Sequence, residues 1–212
     1  MPRHPPAPRA DTEETRQAIL HAARQLFMEH GFRAVTTRMV AEASGVKQPL
    51  IYYHFADKEA LYLEVQRDYA ATCRAALERI AARQSASVPE RLRQVARYLR
   101  QAHQMNVGLY IHEMRHDMHA ATRAEMSELF RASILAPIMS LFDEGIRSGL
   151  LAPSDVSGVS PRLATYMLLS AVTNFPTPGH GSETSSDLAQ ETPDAVVHAL
   201  IYGMVARPPS AE

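Results

Sequence analysis

Proline placement most constrains what this chain can fold into. Of its 14 prolines, four fall within residues 1–8 and two stand at 208 and 209, so the ends are punctuated while long proline-free stretches lie between. Glycine is scarce, at 9 residues, and apolar residues recur at spacings of three and four without sustained strand-like alternation. That pattern predicts an all-α fold of about nine helices. The opening MPRHPPAPRA is Pro- and Arg-rich without an apolar core, so residues 1–10 are expected to form a disordered arm and 208–212 a disordered tail.

Composition then removes function classes. At 212 residues the chain can hold one domain or two small ones, and its 46% apolar content is enough to build a core. With 22 basic against 23 acidic residues the net charge is −1, which excludes a uniformly basic nucleic-acid coat but not a local positive face. A single cysteine, Cys73, can close no intramolecular disulfide and build no thiolate zinc site. No stretch reaches the roughly 18 apolar residues of a membrane span, so a cytoplasmic protein without a membrane partner is expected.

Capping signals place the helices. Asp11 with Glu14 makes a capping box for a first helix ending at Gly31, with Ile19, Ala22, Ala23, Leu26 and Phe27 as its apolar stripe. Thr36 opens a short helix over 37–43, Ser44 and Gly45 make a turn, and another short helix spans 48–54. Longer helices are predicted from Asp57 to Arg83, from Ser87 to His103, over 106–118 and over 121–148, with Pro137 kinking the last. Ser160-Pro161 and Thr192-Pro193 are each an N-cap followed by a first-turn proline, opening helices to Asn174 and Ala206.

The segment most informative about function is TTRMVAEASGVKQPLIYYHFADK, residues 36–58. Val40, Ala43, Val46, Ile51 and Phe55 supply the inner faces of two short helices around a tight turn. The second helix then turns Gln48, Pro49 and Tyr52 outward, with Tyr53 and His54 toward its end. An amide and a planar phenol suit a DNA major groove, because Gln can bond adenine bidentately and Tyr or Pro can pack on a thymine methyl. Thr36, Thr37, Arg38, Lys47 and Lys58 flank this helix with hydroxyls and cations suited to phosphates. Lys47 and Lys58 are the only two lysines in the sequence.

Residues 11–60 resemble the DNA-binding domain of the TetR (tetracycline repressor-like) family, through the TTR, GV, QP, Tyr, His and Lys positions of the segment just quoted. The resemblance implies that Arg38, Gln48, Pro49 and Tyr52 contact bases, that Thr37, His54 and Lys58 contact phosphates, and that Tyr53 contacts the backbone. Leu50 and Lys47 depart from the tetracycline repressor pattern, which has a hydroxyl and an acidic residue there, so no operator sequence can be carried over. The implied organisation is a helix-turn-helix domain over 11–56 and a helical effector-binding and dimerisation domain over 57–207. The implied partners are a palindromic double-stranded operator, a second copy through the last two helices, and an unidentified small-molecule effector. No cofactor, resident metal or catalytic residue is implied.

Leu163, Met167, Leu168, Val172, Val196, Val197, Leu200, Ile201 and Met204 are the candidate dimer-interface residues on those last two helices. Leu109, His112, Glu113, Phe130 and Tyr166, which mix apolar area with a few polar groups, are the candidate effector contacts. His112, Glu113 and His116 also spell H-E-x-x-H, the spacing of a zinc-dependent hydrolase. No third ligand at the recognised spacing follows, so that reading ranks far below a regulator. An activator or a ligand-independent DNA binder is the nearer alternative to a repressor.

Overall fold

A computed structural model describes residues 9–102, 116–173 and 193–204, all helix and connecting loop with no strand among them. The helices are α1 (Arg9–Ala34), α2 (Thr37–Ser44), α3 (Gln48–His54), α4 (Lys58–Ala81), α5 (Val88–Ala102), α6 (Ala120–Phe130), α7 (Ala136–Arg147), α8 (Ser154–Ser157), α9 (Pro161–Thr173) and α10 (Pro193–Met204). A π-helical turn, Arg131–Leu135, joins α6 to α7. The expected helix over 106–118 lies almost wholly outside the described residues. No described helix is long and apolar enough to cross a membrane.

The described residues cluster into two compact units. One comprises 9–69 with 116–127; the other comprises 70–102, 128–173 and 193–204. The division therefore falls inside α4, not at the 56/57 boundary expected from sequence. The first three turns of α4 are claimed by α1: Tyr62 meets the rings of Phe27 and Phe32 edge-on at 4.9 and 5.1 Å, and Arg16 donates to Glu64 at 2.6 Å.

In the first unit α1 buries Ile19, Ala22, Ala23 and Phe27. Helical geometry breaks at Gly31 (φ 78°), where the sequence placed the stop, although three more residues complete the segment. The start differs: Asp11 lies inside the helix and not at its cap. Thr36 caps α2 as expected, its Oγ1 accepting the Met39 N–H at 3.2 Å. Gly45 ends that helix in the left-handed region (φ 71°), and the Val46 N–H then reaches the Ala41 carbonyl at 3.0 Å, a closure that favours glycine at this turn. Ala41, not the expected Ala43, faces inward beside Val40, while Ile51 and Phe55 are buried as expected. Over two turns, a row of small residues leaves helix rotation to tertiary packing.

In the second unit α5, α7, α9 and α10 pack on one another around Leu92, Leu99, Ile138, Leu141, Phe142 and Leu168. Pro137 does not simply kink a continuous helix. It has no N–H to bond a carbonyl in the turn before it, and the chain widens there into the π turn, whose closing bond runs from the Ala136 N–H to the Arg131 carbonyl. The single turn α8, ended by Gly158, had no anticipating signal in the sequence.

Arg91 is the deeply buried charge of this unit. Its guanidinium donates to the Ala81 carbonyl at 2.7 Å and to both oxygens of Glu144, tying the end of α4, α5 and α7 together. The hydrogen bond from Arg91, helped by its charge, holds the Glu144 carboxyl below the usual glutamate range, against an opposing push from burial. Because the folded-state pKa is depressed, this stabilisation is complete above the unfolded glutamate pKa of about 4.3 and disappears as pH falls through the folded value. Glu144→Gln should lower stability by about 2 kcal/mol at pH 7. Urea midpoints taken across the acid range should show a smaller loss on acidification in the variant than in the wild type.

Candidate nucleic-acid interface

The outward face of α3 is polar and aromatic. Leu50, Tyr52 and Tyr53 are exposed by 36, 52 and 74%, and Lys47, Gln48 and Pro49 are exposed beside them. Ile51, at 1% exposure, pins the opposite face to the core. Pro49 stands in the first turn, where its missing N–H removes no helical bond. Lys47 precedes the helix in extended conformation and its side chain makes no capping bond.

Behind this face a three-residue network joins α3 to α2. The Gln48 Nε2 donates to the Thr37 Oγ1 at 2.9 Å, and the Thr37 Oγ1 lies 3.1 Å from the Tyr52 hydroxyl. Thr37 is buried, at 8% exposure. Arg38, on the open side of α2, donates to Glu42 at 2.9 Å. Both partners are exposed, and an exposed pair one turn apart is worth only about 0.3–0.5 kcal/mol, so the guanidinium can exchange Glu42 for another acceptor at little cost. His54 is half-buried, meets the Tyr53 ring edge-on at 5.1 Å, and keeps its Nε2 buried without a hydrogen-bond partner.

Lys58 departs most from the sequence expectation. Its ammonium donates to the Phe32 and Val35 carbonyls at 2.9 and 3.1 Å and lies 4.1 Å from the centre of the Phe32 ring. In this arrangement it closes the end of α1 in place of reaching toward a phosphate.

The structure collects Thr36, Thr37, Arg38, Lys47, Gln48, Pro49, Leu50, Tyr52, Tyr53 and His54 on or immediately behind one surface formed by α2 and α3. The sequence model described as "Bacterial regulatory proteins, tetR family" matches residues 19–65, the segment that carries this surface. This match to the TetR family covers that segment and not the rest of the chain.

The HTH-type transcriptional repressor AcnR of Corynebacterium efficiens is 46% identical over 57 residues, which cover 27% of this chain and 30% of that repressor. The chain thus spans under a third of the length of such close relatives. The uncharacterised HTH-type transcriptional regulator YhgD of Bacillus subtilis is 24% identical over 161 residues, 74% of this chain and 79% of that one. The fold is shared with the transcriptional regulator FadR of Bacillus subtilis, solved in complex with stearoyl-CoA, at a TM-score of 0.69 and 21% identity over 89% of this chain and 99% of that one.

The other candidate residues fare unevenly. Leu109, His112 and Glu113, and with them most of the H-E-x-x-H pattern, lie outside the described residues, as does the side chain of Met204. His116 is exposed. Phe130 is half-buried near the end of α6, whereas Tyr166 stands on the exposed face of α9 and not in a core cavity. Leu168, Val172, Val197 and Ile201 are covered within their own chain, at 0, 5, 1 and 5% exposure, because they point into the second unit's core. Val196 and Leu200 are half-buried, and the outward face carries Leu163, Tyr166, Met167 and Tyr202. Tyr202 was not among the sequence candidates; it stands one turn beyond exposed His198, its ring tilted by 51° against the imidazole with centroids 3.9 Å apart.

Two further features escaped the sequence because their partners are some 60 to 80 residues apart. Glu59 accepts the His119 N–H at 3.2 Å and the Thr122 hydroxyl at 2.7 Å at the start of α6, and Arg33 pairs with Asp117 at 2.8 Å. Both pairings close the first unit. Lys58→Met should melt several degrees below the wild type without DNA present, since it deprives two carbonyls of their donor at about 1–3 kcal/mol; thermal denaturation followed by circular dichroism measures it.

Proposed function

We propose that this protein is a transcription regulator without catalytic activity that binds a palindromic operator as a homodimer, represses transcription in the cytoplasm, and is released by a small-molecule effector. The observation that carries the reading is the exposed face of α3, where an amide, a proline and two tyrosines stand outward on a helix-turn-helix whose inner face is fully packed. On this reading Gln48, Pro49, Tyr52 and Arg38 meet base edges, with Leu50 available to a thymine methyl. Thr36, Lys47, Tyr53 and His54 meet the backbone. Lys58 supports the domain from behind.

Dimerisation is supported by the apolar outward face of α9 and α10. Leu163, Tyr166, Met167 and Tyr202 are 46, 37, 42 and 64% exposed although their neighbours on the same helices are buried. Release would follow from linkage: an effector that binds better to the DNA-incompetent conformation lowers operator affinity by the ratio of its two affinities.

Selection of bound duplexes from genomic fragments, followed by footprinting at one fixed physiological salt concentration, tests the reading. A protected palindrome is expected, and Gln48→Ala should relax preference at one base pair per half-site at a cost of about 1–3 kcal/mol on the best site. Binding that is weak and indifferent to sequence would sink the specificity claim. For the assembly, Leu163→Glu with Met167→Glu should turn a dimer into a folded monomer by sedimentation velocity; an unchanged sedimentation coefficient would move the interface elsewhere.

A further inference from the structure

The geometry points to Thr37 as a positioning residue for specificity: its buried hydroxyl fixes the orientation in which Gln48 and Tyr52 are presented to the bases. The inference rests on the reading of α3 as the base-reading helix, and it gives Thr37 a different role from the phosphate contact implied by resemblance. Three observations carry it. Thr37 is 8% exposed, so its side chain has almost no surface to offer a phosphate. Its Oγ1 already receives the Gln48 Nε2 at 2.9 Å and meets the Tyr52 hydroxyl at 3.1 Å. Both of those partners are exposed on the outward face, Tyr52 by 52%.

The chemistry follows from the donor and acceptor inventory. A Gln amide nitrogen carries two N–H groups, and a Thr hydroxyl has one donor and two lone pairs. When the Gln48 nitrogen gives one N–H to Thr37, the amide oxygen and the second N–H remain for a base edge. An acceptor beside a donor is the pattern that pairs with the N6 amino group and N7 of adenine. Without its anchor the amide can turn about its terminal torsion, which is soft and nearly two-fold, and offer oxygen and nitrogen in exchanged places. The second bond, to the Tyr52 hydroxyl, holds the far end of that ring so that its face stays at one place on the helix. Thr37 touches no base in this scheme and acts through the two residues that do.

The test uses the full chain and the duplex selected by the wild type, and compares Thr37→Val, which keeps the shape and removes the hydroxyl, with Thr37→Ser, which keeps the hydroxyl. Thr37→Val should cut discrimination at the base pair read by Gln48 about fivefold to tenfold, a large part of what one bidentate pair supplies. The dependence of affinity on salt should not change, because no phosphate contact is lost. Thr37→Ser should retain the preference. In a Gln48→Ala background Thr37→Val should have no further effect at that base pair, which a general structural role would not produce. If valine prevents folding by circular dichroism, Thr37→Ala removes the same hydroxyl and is read in the same way. Equal loss of affinity on every sequence, with the salt slope reduced by about one, would make Thr37 a phosphate contact and overturn the proposal. Wild-type preference retained by both Thr37→Val and Thr37→Ala would overturn it as well. A wild type that selects no sequence removes the base-reading premise itself, and that outcome is visible before any substitution is made.

Discussion

The surface formed by α2 and α3 depends on how α1 ends. Helical geometry fails at Gly31, and the carbonyls of Phe32 and Val35 beyond it find their donor in the side chain of Lys58, 26 and 23 residues away. Leaving such buried carbonyls unpaired would cost about 1–3 kcal/mol each, a substantial share of a small unit's stability. An ammonium suits the position better than a guanidinium, because a compact point charge with three donors can reach two carbonyls and still sit 4.1 Å from the centre of an aromatic ring. This gives a physical reason for a lysine here in a chain whose 22 basic residues include only two lysines.

Fixing that corner fixes the helices that follow. The helix α3 has seven residues, too few to persist alone in water. Its outward groups are held in place only because Ile51 and Phe55 are buried beneath them and because Thr37 bonds to two of them from α2. The short helix is therefore well ordered for a reason that lies in its neighbours, and the left-handed closure at Gly45 sets the turn between them.

The sequence revealed what is encoded locally and hid what is encoded at a distance. Thr36, Asp57 and Ser160 each cap a helix through the residue three places on, and their placement could be read directly. The outward set on α3 was legible for the same reason, since Ile51 and Phe55 are one turn apart and leave one possible opposite face. The role of Lys58 was not legible, because its partners belong to another helix. The apolar stripes of α9 and α10 misled in a different way. Both helices are apolar on more than one side, so the pattern alone could not separate Leu168 and Ile201, which fill the core, from Leu163, Tyr166, Met167 and Tyr202, which remain exposed.

Those two exposed surfaces have different chemistry, and the difference bears on how the protein works. The face of α3 mixes rings with an amide and hydroxyls, groups that can exchange water for hydrogen-bonding base edges. The face of α9 and α10 carries Leu163, Met167 and two tyrosines, suited to a partner that excludes water. A helix of two turns can address only a few base pairs, and at about 1–3 kcal/mol for each discriminated pair that falls short of what selection among a genome's competing sites requires. On the proposed reading, a second copy would supply the missing discrimination by reading the same few pairs again in the other half-site. On that reading the exposed apolar area on the second unit and the small outward face of α3 on the first answer one requirement: a surface too short to be specific alone would become specific when the chain is paired.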